Sequence, residues 1–340
     1  MKKIVPFMLI ASLALWGCKK KKENEEKAPK GKAPVAQKDD GKKPVKVAKV
    51  EPKKTGWVEA KGVKPKHERV KCDSYRCKVW VITKSVKAEI EKQKDYKKLW
   101  IEFAEKTNDE YFATVANIPW VKKLKLYRSR ITHLKPITAL TDLEEISLSY
   151  NNDKKYRKIE VDVAAIGEMK KLTDIYLYGI QLKNVDVIAK VKKLEDVVVS
   201  NTEITDIKWM TGKTTVVTAD FSYTKITDIS PLGTLPKLKR VRFNKCEAVT
   251  SIAPLAKLEN LTSINMEYTK VADLAPLAKM KKLDRLYASY TQVKDLTPLK
   301  DVKTLKYLDF NGCKELADIK PVAGLSDLYS LSLSKTQVKD

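Results

Sequence analysis

Few side chains in this 340-residue sequence are of types that do chemistry, and their spacing keeps them apart. There are two histidines, His67 and His133, and neither has a carboxylate or thiol cluster nearby. That argues against a histidine metal site and against a His-based catalytic triad. Of the five cysteines, Cys72 and Cys77 are separated by four residues, while Cys246 and Cys313 occupy one phase of a longer repeat, three units apart. Stacked strands lie about 4.8 Å apart, so the second pair would be roughly 14 Å apart, beyond the ~7 Å between Cα atoms that a disulfide tolerates. These two are read as buried thiols acting as weak donors. Asp206, Asp228 and Asp295 recur at another fixed phase. A spacing of one repeat spreads them along the molecule, which suits turn or cap acceptors and not a calcium site. Glycine is scarce at 11, and no G-x-x-x-x-G-K or G-x-G-x-x-G string occurs to cradle a nucleotide. The residues offer no catalytic constellation, no metal site and no cofactor site, and the chain is read as non-enzymatic.

The elements that hold these residues are set by a repeat. From Trp120 onward, apolar pairs spaced i, i+2 recur, beginning with Leu124/Leu126, Ile146/Leu148 and Ile175/Leu177 and ending with Leu308/Phe310 and Leu331/Leu333. The steps between second members are 22, 29, 22, 22, 22, 23, 22, 22 and 23 residues. A period of two predicts short strands whose inward residues are apolar. Pro231, Pro276 and Pro298, in D-(I/L)-x-P-L strings, forbid a long helix and predict tight 3₁₀-like return segments.

The unit L-x-x-L-x-L-x-x-(T/N/C)-x-(I/V)-x-D-(I/L)-x-P-L-x-x-L is the leucine-rich repeat pattern. Its 22-residue form resembles the internalin-type repeat of bacteria. The resemblance implies an α/β solenoid with about ten short parallel strands on a concave face, which binds other proteins, and 3₁₀ or short helical segments on the convex side. The sequence departs from that pattern at three places. The ladder Asn is often Thr (Thr202, Thr224, Thr269, Thr291, Thr336) or Cys (Cys246, Cys313), and residues 151–158 carry an insertion in the second unit. The last strand, at 330–334, stands where such proteins go on to a cap, so this edge is expected to pair with another chain or to fray.

Four segments follow along the chain. Residues 1–18 are an export signal, with Lys2 and Lys3 before a 13-residue apolar stretch too short to span a bilayer. Leu15-Trp16-Gly17-Cys18 resembles the bacterial lipobox, although Trp16 stands where a small residue is usual. The resemblance implies a lipidated Cys18 and a cell-envelope location, and Lys19 at the next position favours the outer membrane or cell surface. Residues 19–56 hold 14 lysines and six acidic residues with few large apolar side chains. Such a segment is expected to be a disordered tether, whether a plain spacer or one lying on anionic head groups. Residues 57–118 show no repeat and are expected to form a small α+β cap plugging the first unit. Within it we expect a strand near 79–82, a helix over 86–106 capped by Ser85, and a second helix over 109–116. In an exported protein, the Cys72/Cys77 spacing points to a local disulfide. The repeat domain fills 119–340.

Three residues per unit should face the concave surface, thirty in all. The basic ones are Lys123, Lys125, Arg240, Arg242 and Arg285. The acidic ones are Glu145, Asp174, Asp196, Asp220, Glu267 and Asp309. The face is near neutral although residues 117–340 carry 38 basic and 27 acidic side chains, a net +11. A nucleic-acid partner would need a basic stripe, which this sheet lacks. Tyr127, Tyr176, Tyr178, Tyr287 and Tyr307 fall on the same face, and Tyr and Arg dominate protein-binding hot spots. Tyr150, Tyr223, Tyr268 and Tyr290 form a second column just before the ladder residue, either a stacking ladder or an extension of the face. The reading that follows is a lipid-anchored protein binding another protein through its concave face. The alternative is an envelope component holding anionic cell-wall or lipid polymers through its tether and convex side.

Overall fold

The computed structural model describes residues 57–340 other than 62, 64, 65, 67, 68, 94, 150–158 and 340. Cys18, the 19–56 segment, His67, Tyr150 and the 151–158 insertion lie outside the described residues. The described strands are β1 (Lys71–Cys72), β2 (Arg76–Val79), β3 (Trp100–Phe103), β4 (Lys123–Tyr127), β5 (Glu145–Ser149), β6 (Glu160–Asp162), β7 (Asp174–Tyr178) and β8 (Gln181–Lys183). They continue as β9 (Asp196–Ser200), β10 (Thr218–Asp220), β11 (Arg240–Arg242), β12 (Ser263–Asn265), β13 (Arg285–Tyr287), β14 (Tyr307–Asp309) and β15 (Ser330–Ser332). Thirteen of them make one sheet, in the order β1-β2-β3-β4-β5-β7-β9 and then β10 to β15. Only β1–β2 is antiparallel; every other neighbour is parallel. β6 and β8 pair separately, on the strip that leaves the main sheet.

Register follows the apolar pattern. Leu124, Ile146, Ile175, Val197 and Ala219 stand side by side in one inward row. The row continues through Val241, Ile264, Leu286 and Leu308. All nine are buried, so each turn of the chain adds one layer to a continuous core. The opposite wall consists of 3₁₀ segments, six of which carry Pro at their first or second position, where a missing N–H costs nothing. Leu232, Leu255, Leu277 and Leu299 project from these segments into the core. The recurring aspartates fasten them: Oδ1 of Asp206, Asp228, Asp273, Asp295 and Asp318 each accepts the backbone N–H two residues on. The architecture is a leucine-rich repeat solenoid, with the ten strands read from sequence present between Lys123 and Ser332.

The 57–118 region departs from expectation. The helix expected over 86–106 is only α1 (Lys84–Glu91), and its cap is Thr83, whose side chain accepts from Val86 N, not Ser85. Asp95 then adopts a left-handed conformation, φ 58°, and the chain enters β3. Phe103 fits the helical spacing of Val86, Ile90 and Leu99, but here it alternates with Ile101 along a strand, and Ile101 and Phe103 pair with Leu124 and Leu126. As a helix this stretch would bury one stripe; as a strand it joins the ladder and closes the β4 edge. The strand expected at 79–82 is shifted back to β2, and Ile82 N donates instead to Thr114 Oγ1. The second helix, α2 (Asp109–Ala113), gives way to a 3₁₀ turn over Thr114–Asn117, where Thr114 Oγ1 donates back to the Tyr111 carbonyl. These residues therefore carry two more turns of the parallel sheet, with Cys77/Val79 and Ile101/Phe103 as their inward pairs. Among the described residues no helix is long and apolar enough to cross a membrane.

Candidate interaction face

Each strand turns its alternate residues away from the core, and these form an open face three residues deep. The eight residues singled out from sequence all lie on it, in two groups. Tyr127, Tyr176 and Tyr178 stand on β4 and β7; Arg240, Arg242, Arg285, Tyr287 and Tyr307 stand on β11, β13 and β14. Between the groups, β9 and β10 carry no residue of either set.

The first group surrounds carboxylates. Register sets Glu145, Asp174 and Asp196 side by side on three successive strands. Lys123 Nζ lies 2.9 Å from Glu145, while Asp174 accepts from Thr173 Oγ1 and Asp196 from the Tyr176 hydroxyl at 3.4 Å. Burial pushes the Glu145 and Asp174 carboxyls up, and their acidic neighbours add to it. The Tyr176 phenol is held far above its usual range by burial and by the same carboxylates.

The second group is basic and aromatic. Arg242 Nη1 is 3.7 Å from Asp220, and Arg240 Nη2 donates to Thr218 Oγ1 at 2.8 Å. The Arg285 guanidinium lies 5.2 Å from the Tyr307 ring centroid, a cation–π contact. Arg242 and Arg285 remain half exposed, at 56% and 47% of their side chains.

Sequence reasoning missed a third cluster. Glu102 on β3, 4% exposed, is held by Arg76 at 3.0 Å and by Lys78 and Lys125, each at 3.6 Å. Trp100 beside it takes the Lys123 ammonium over its ring at 5.5 Å. The clue was present: Cys77/Val79 and Ile101/Phe103 are i, i+2 pairs lying 24 and 23 residues before the next pair.

The second tyrosine column is an edge ladder. Tyr223, Tyr268 and Tyr290 have φ of 58°, 56° and 57°, and Gly179, Asn201, Lys245, Gly312 and Lys335 share the same left-handed position in their turns. The Tyr268 and Tyr290 rings stack at 4.5 Å, with the Lys245 ammonium 3.1 Å above Tyr268 and Lys335 Nζ 5.9 Å from the Tyr290 ring centroid. Tyr223 stands apart and is 55% exposed. Alongside runs the ladder proper. The Thr224, Thr269, Thr291 and Thr336 hydroxyls donate to the carbonyl three residues back, while Thr202 Oγ1 is buried without a partner. Cys246 and Cys313 instead reach back to the carbonyls of Phe221 and Ala288 in the preceding turns. Burial raises both thiols, so they stay protonated and inert. Cys72 and Cys77 face each other across β1 and β2, joined by a disulfide.

No protein-family model and no curated protein matches the sequence. Among solved structures, an internalin (InlF) of Listeria monocytogenes superposes with a TM-score of 0.59 at 22% identity, over 74% of this chain and 81% of that one. Internalin C2 of the same organism gives 0.49 at 23%, over 65% and 84%. The leucine-rich repeat ectodomain of the Arabidopsis thaliana receptor kinase GASSHO1/SCHENGEN3, solved with CASPARIAN STRIP INTEGRITY FACTOR 2, gives 0.52 at 14%, over 77% and 35%. The fold of this chain is that of the internalin-like leucine-rich repeat solenoid.

Proposed function

We propose that this chain is a lipid-anchored, non-catalytic binding protein of the cell envelope whose concave face recognises another protein. The observation that carries the reading is the open face itself. Half-buried tyrosines and half-exposed arginines stand there on the sheet, while lysines gather on the 3₁₀ segments and in the turns that lead to the strands, as at Lys190, Lys192, Lys193, Lys257, Lys281 and Lys282. Tyr and Arg combine contact area with polar tips and lose little entropy when already ordered. The Arabidopsis ectodomain, solved with a bound factor, uses the same fold and supports the reading. Leu15-Trp16-Gly17-Cys18 supports the anchor, at the outer membrane or cell surface.

The test is affinity capture from envelope and host-side extracts with the lipidated full chain in detergent, at moderate salt. Beside it runs the variant Tyr176→Ala/Arg242→Glu/Tyr287→Ala. Hot-spot losses of about 2 kcal/mol each predict that partners retained by the parent are lost by the variant. Equal retention by both, with release by salt alone, would favour attachment of anionic polymers to the lysine-rich turns. Metabolic labelling with a fatty-acid analogue should mark the parent and not Cys18→Ser. A label that persists in Cys18→Ser contradicts the anchor.

A further inference from the structure

The open face is divided by charge along the solenoid. Strands β5, β7, β9 and β10 contribute twelve open positions from Glu145 to Ser222, four of them acidic (Glu145, Asp174, Asp196, Asp220) and none basic. The next three strands, β11 to β13, contribute Arg240, Arg242 and Arg285 against the single Glu267. A band of −4 therefore adjoins a band of +2. Part of this charge is paired within the molecule: Lys123 Nζ lies 2.9 Å from Glu145 and Arg285 Nη1 lies 3.9 Å from Asp284. Among the described residues no ion pair involves Asp174 or Asp196, and Arg242 reaches Asp220 only at 3.7 Å, across the boundary between the bands. Three half-buried carboxylates, on neighbouring strands about 4.8 Å apart, repel one another, and the solvent-facing arginines have the opposite need. Within the acidic band, Tyr176, Tyr178 and Val198 provide aromatic and apolar contact.

We propose that the occupant of the concave face is an extended protein segment running along the solenoid, with a cluster of Lys or Arg over β5–β10 and a cluster of Asp or Glu over β11–β13. This rests on the binding role proposed above and adds the partner's chemistry. Four strands at about 4.8 Å place the edges of the acidic band roughly 14 Å apart, and the band centres lie roughly 17 Å apart. At about 3.3 Å per extended residue, the partner's basic cluster covers four to five residues. Its acidic cluster is centred about five residues further along. Complementary fields of this kind steer encounter and fix register, and a segment laid in the wrong register meets like charge at both bands.

The test uses the full chain and three labelled twelve-residue peptides at physiological salt, read by fluorescence anisotropy. One carries a lysine block followed by a glutamate block, the second has the same composition in strict alternation, and the third is all glutamate. The block peptide is expected to bind at least ~10-fold more tightly than the other two, and Asp174→Asn/Asp196→Asn to remove about 10-fold of that affinity. Arg242→Glu/Arg285→Glu, at exposed positions that leave folding intact, should remove as much should the carboxylate variant fail to fold. Equal affinity for block and alternating peptides overturns the proposal, as does block-peptide binding indifferent to these substitutions. All-glutamate binding as tight as the block also overturns it, because that points to the lysine-rich segments. Capture of a partner that still depends on Tyr176 and Tyr287 while the peptides fail to discriminate would remove this proposal and leave the binding role standing. Loss of both dependences would remove both.

Discussion

At Gly312 two demands fall on one residue. Its φ is +73°, and a Cβ placed there would lie 2.5 Å from the Tyr290 ring. Gly312→Ala is therefore expected to cost about 1–2 kcal/mol in urea unfolding, from left-handed backbone strain added to a ring that must leave its stack with Tyr268. A cost near zero would mean that the stack is not held in solution. Lys213 makes a different case. It occupies the phase that Leu235 fills one turn later, and its buried ammonium donates to the carbonyls of Ala189 and Val191. Burial holds its pKa below the ordinary 10.5. In the interval below 10.5 the unfolded chain binds the proton more readily than the folded one, so this group makes stability rise with pH there. Lys213→Leu should flatten that rise in urea titrations run from neutral pH to 10.5; an unchanged slope would contradict the assignment. Neither residue announced its role in the sequence. The left-handed position shows only when Gly179, Asn201, Tyr223, Lys245 and Gly312 are aligned by turn, because tyrosine and lysine disguise what glycine and asparagine reveal. The thiol ladder was legible, since Cys246 and Cys313 share the phase of the threonines.

Elements in this fold are short, and neighbouring turns decide what each becomes. The proline-started 3₁₀ segments and period-two strands could be read directly, because Pro and alternation are local signals. The stretch 99–103 could not: Leu99, Ile101 and Phe103 fit either period, and pairing with β4 decided for a strand. Stacking between turns also limits substitution. A Cβ on Gly233 would meet the Pro254 carbonyl oxygen of the next turn at 2.5 Å, and backbone there has no room to yield. Gly233→Ala should cost roughly 1–3 kcal/mol by forcing two turns apart. Gly324, where only Lys303 Nζ comes within 4 Å, serves as the contrast: Gly324→Ala should be neutral or stabilise by up to about 1 kcal/mol. Chemical denaturation of both variants checks the pair, and similar costs would contradict the packing argument.

Across the whole molecule, a net charge of +25 coexists with an open face that is banded and not basic. The sequence showed that the face is not basic once the strands were in phase, because alternation assigns every second side chain of a strand to one face; the banding emerges when the strands are set in order. The sequence did not show the Glu102 cluster, whose turns depart from the 22-residue step, nor how the eight marked residues split into two groups. The account's central claim is that recognition occurs on the sheet side. A photo-crosslinking amino acid placed singly at Tyr176 or Tyr287, and at Lys190 or Lys257 on the opposite 3₁₀ wall, tests that claim most directly in intact cells producing the full chain. The account predicts a discrete protein adduct from the two sheet positions and none from the two lysine positions. Adducts from Lys190 or Lys257 alone would contradict it.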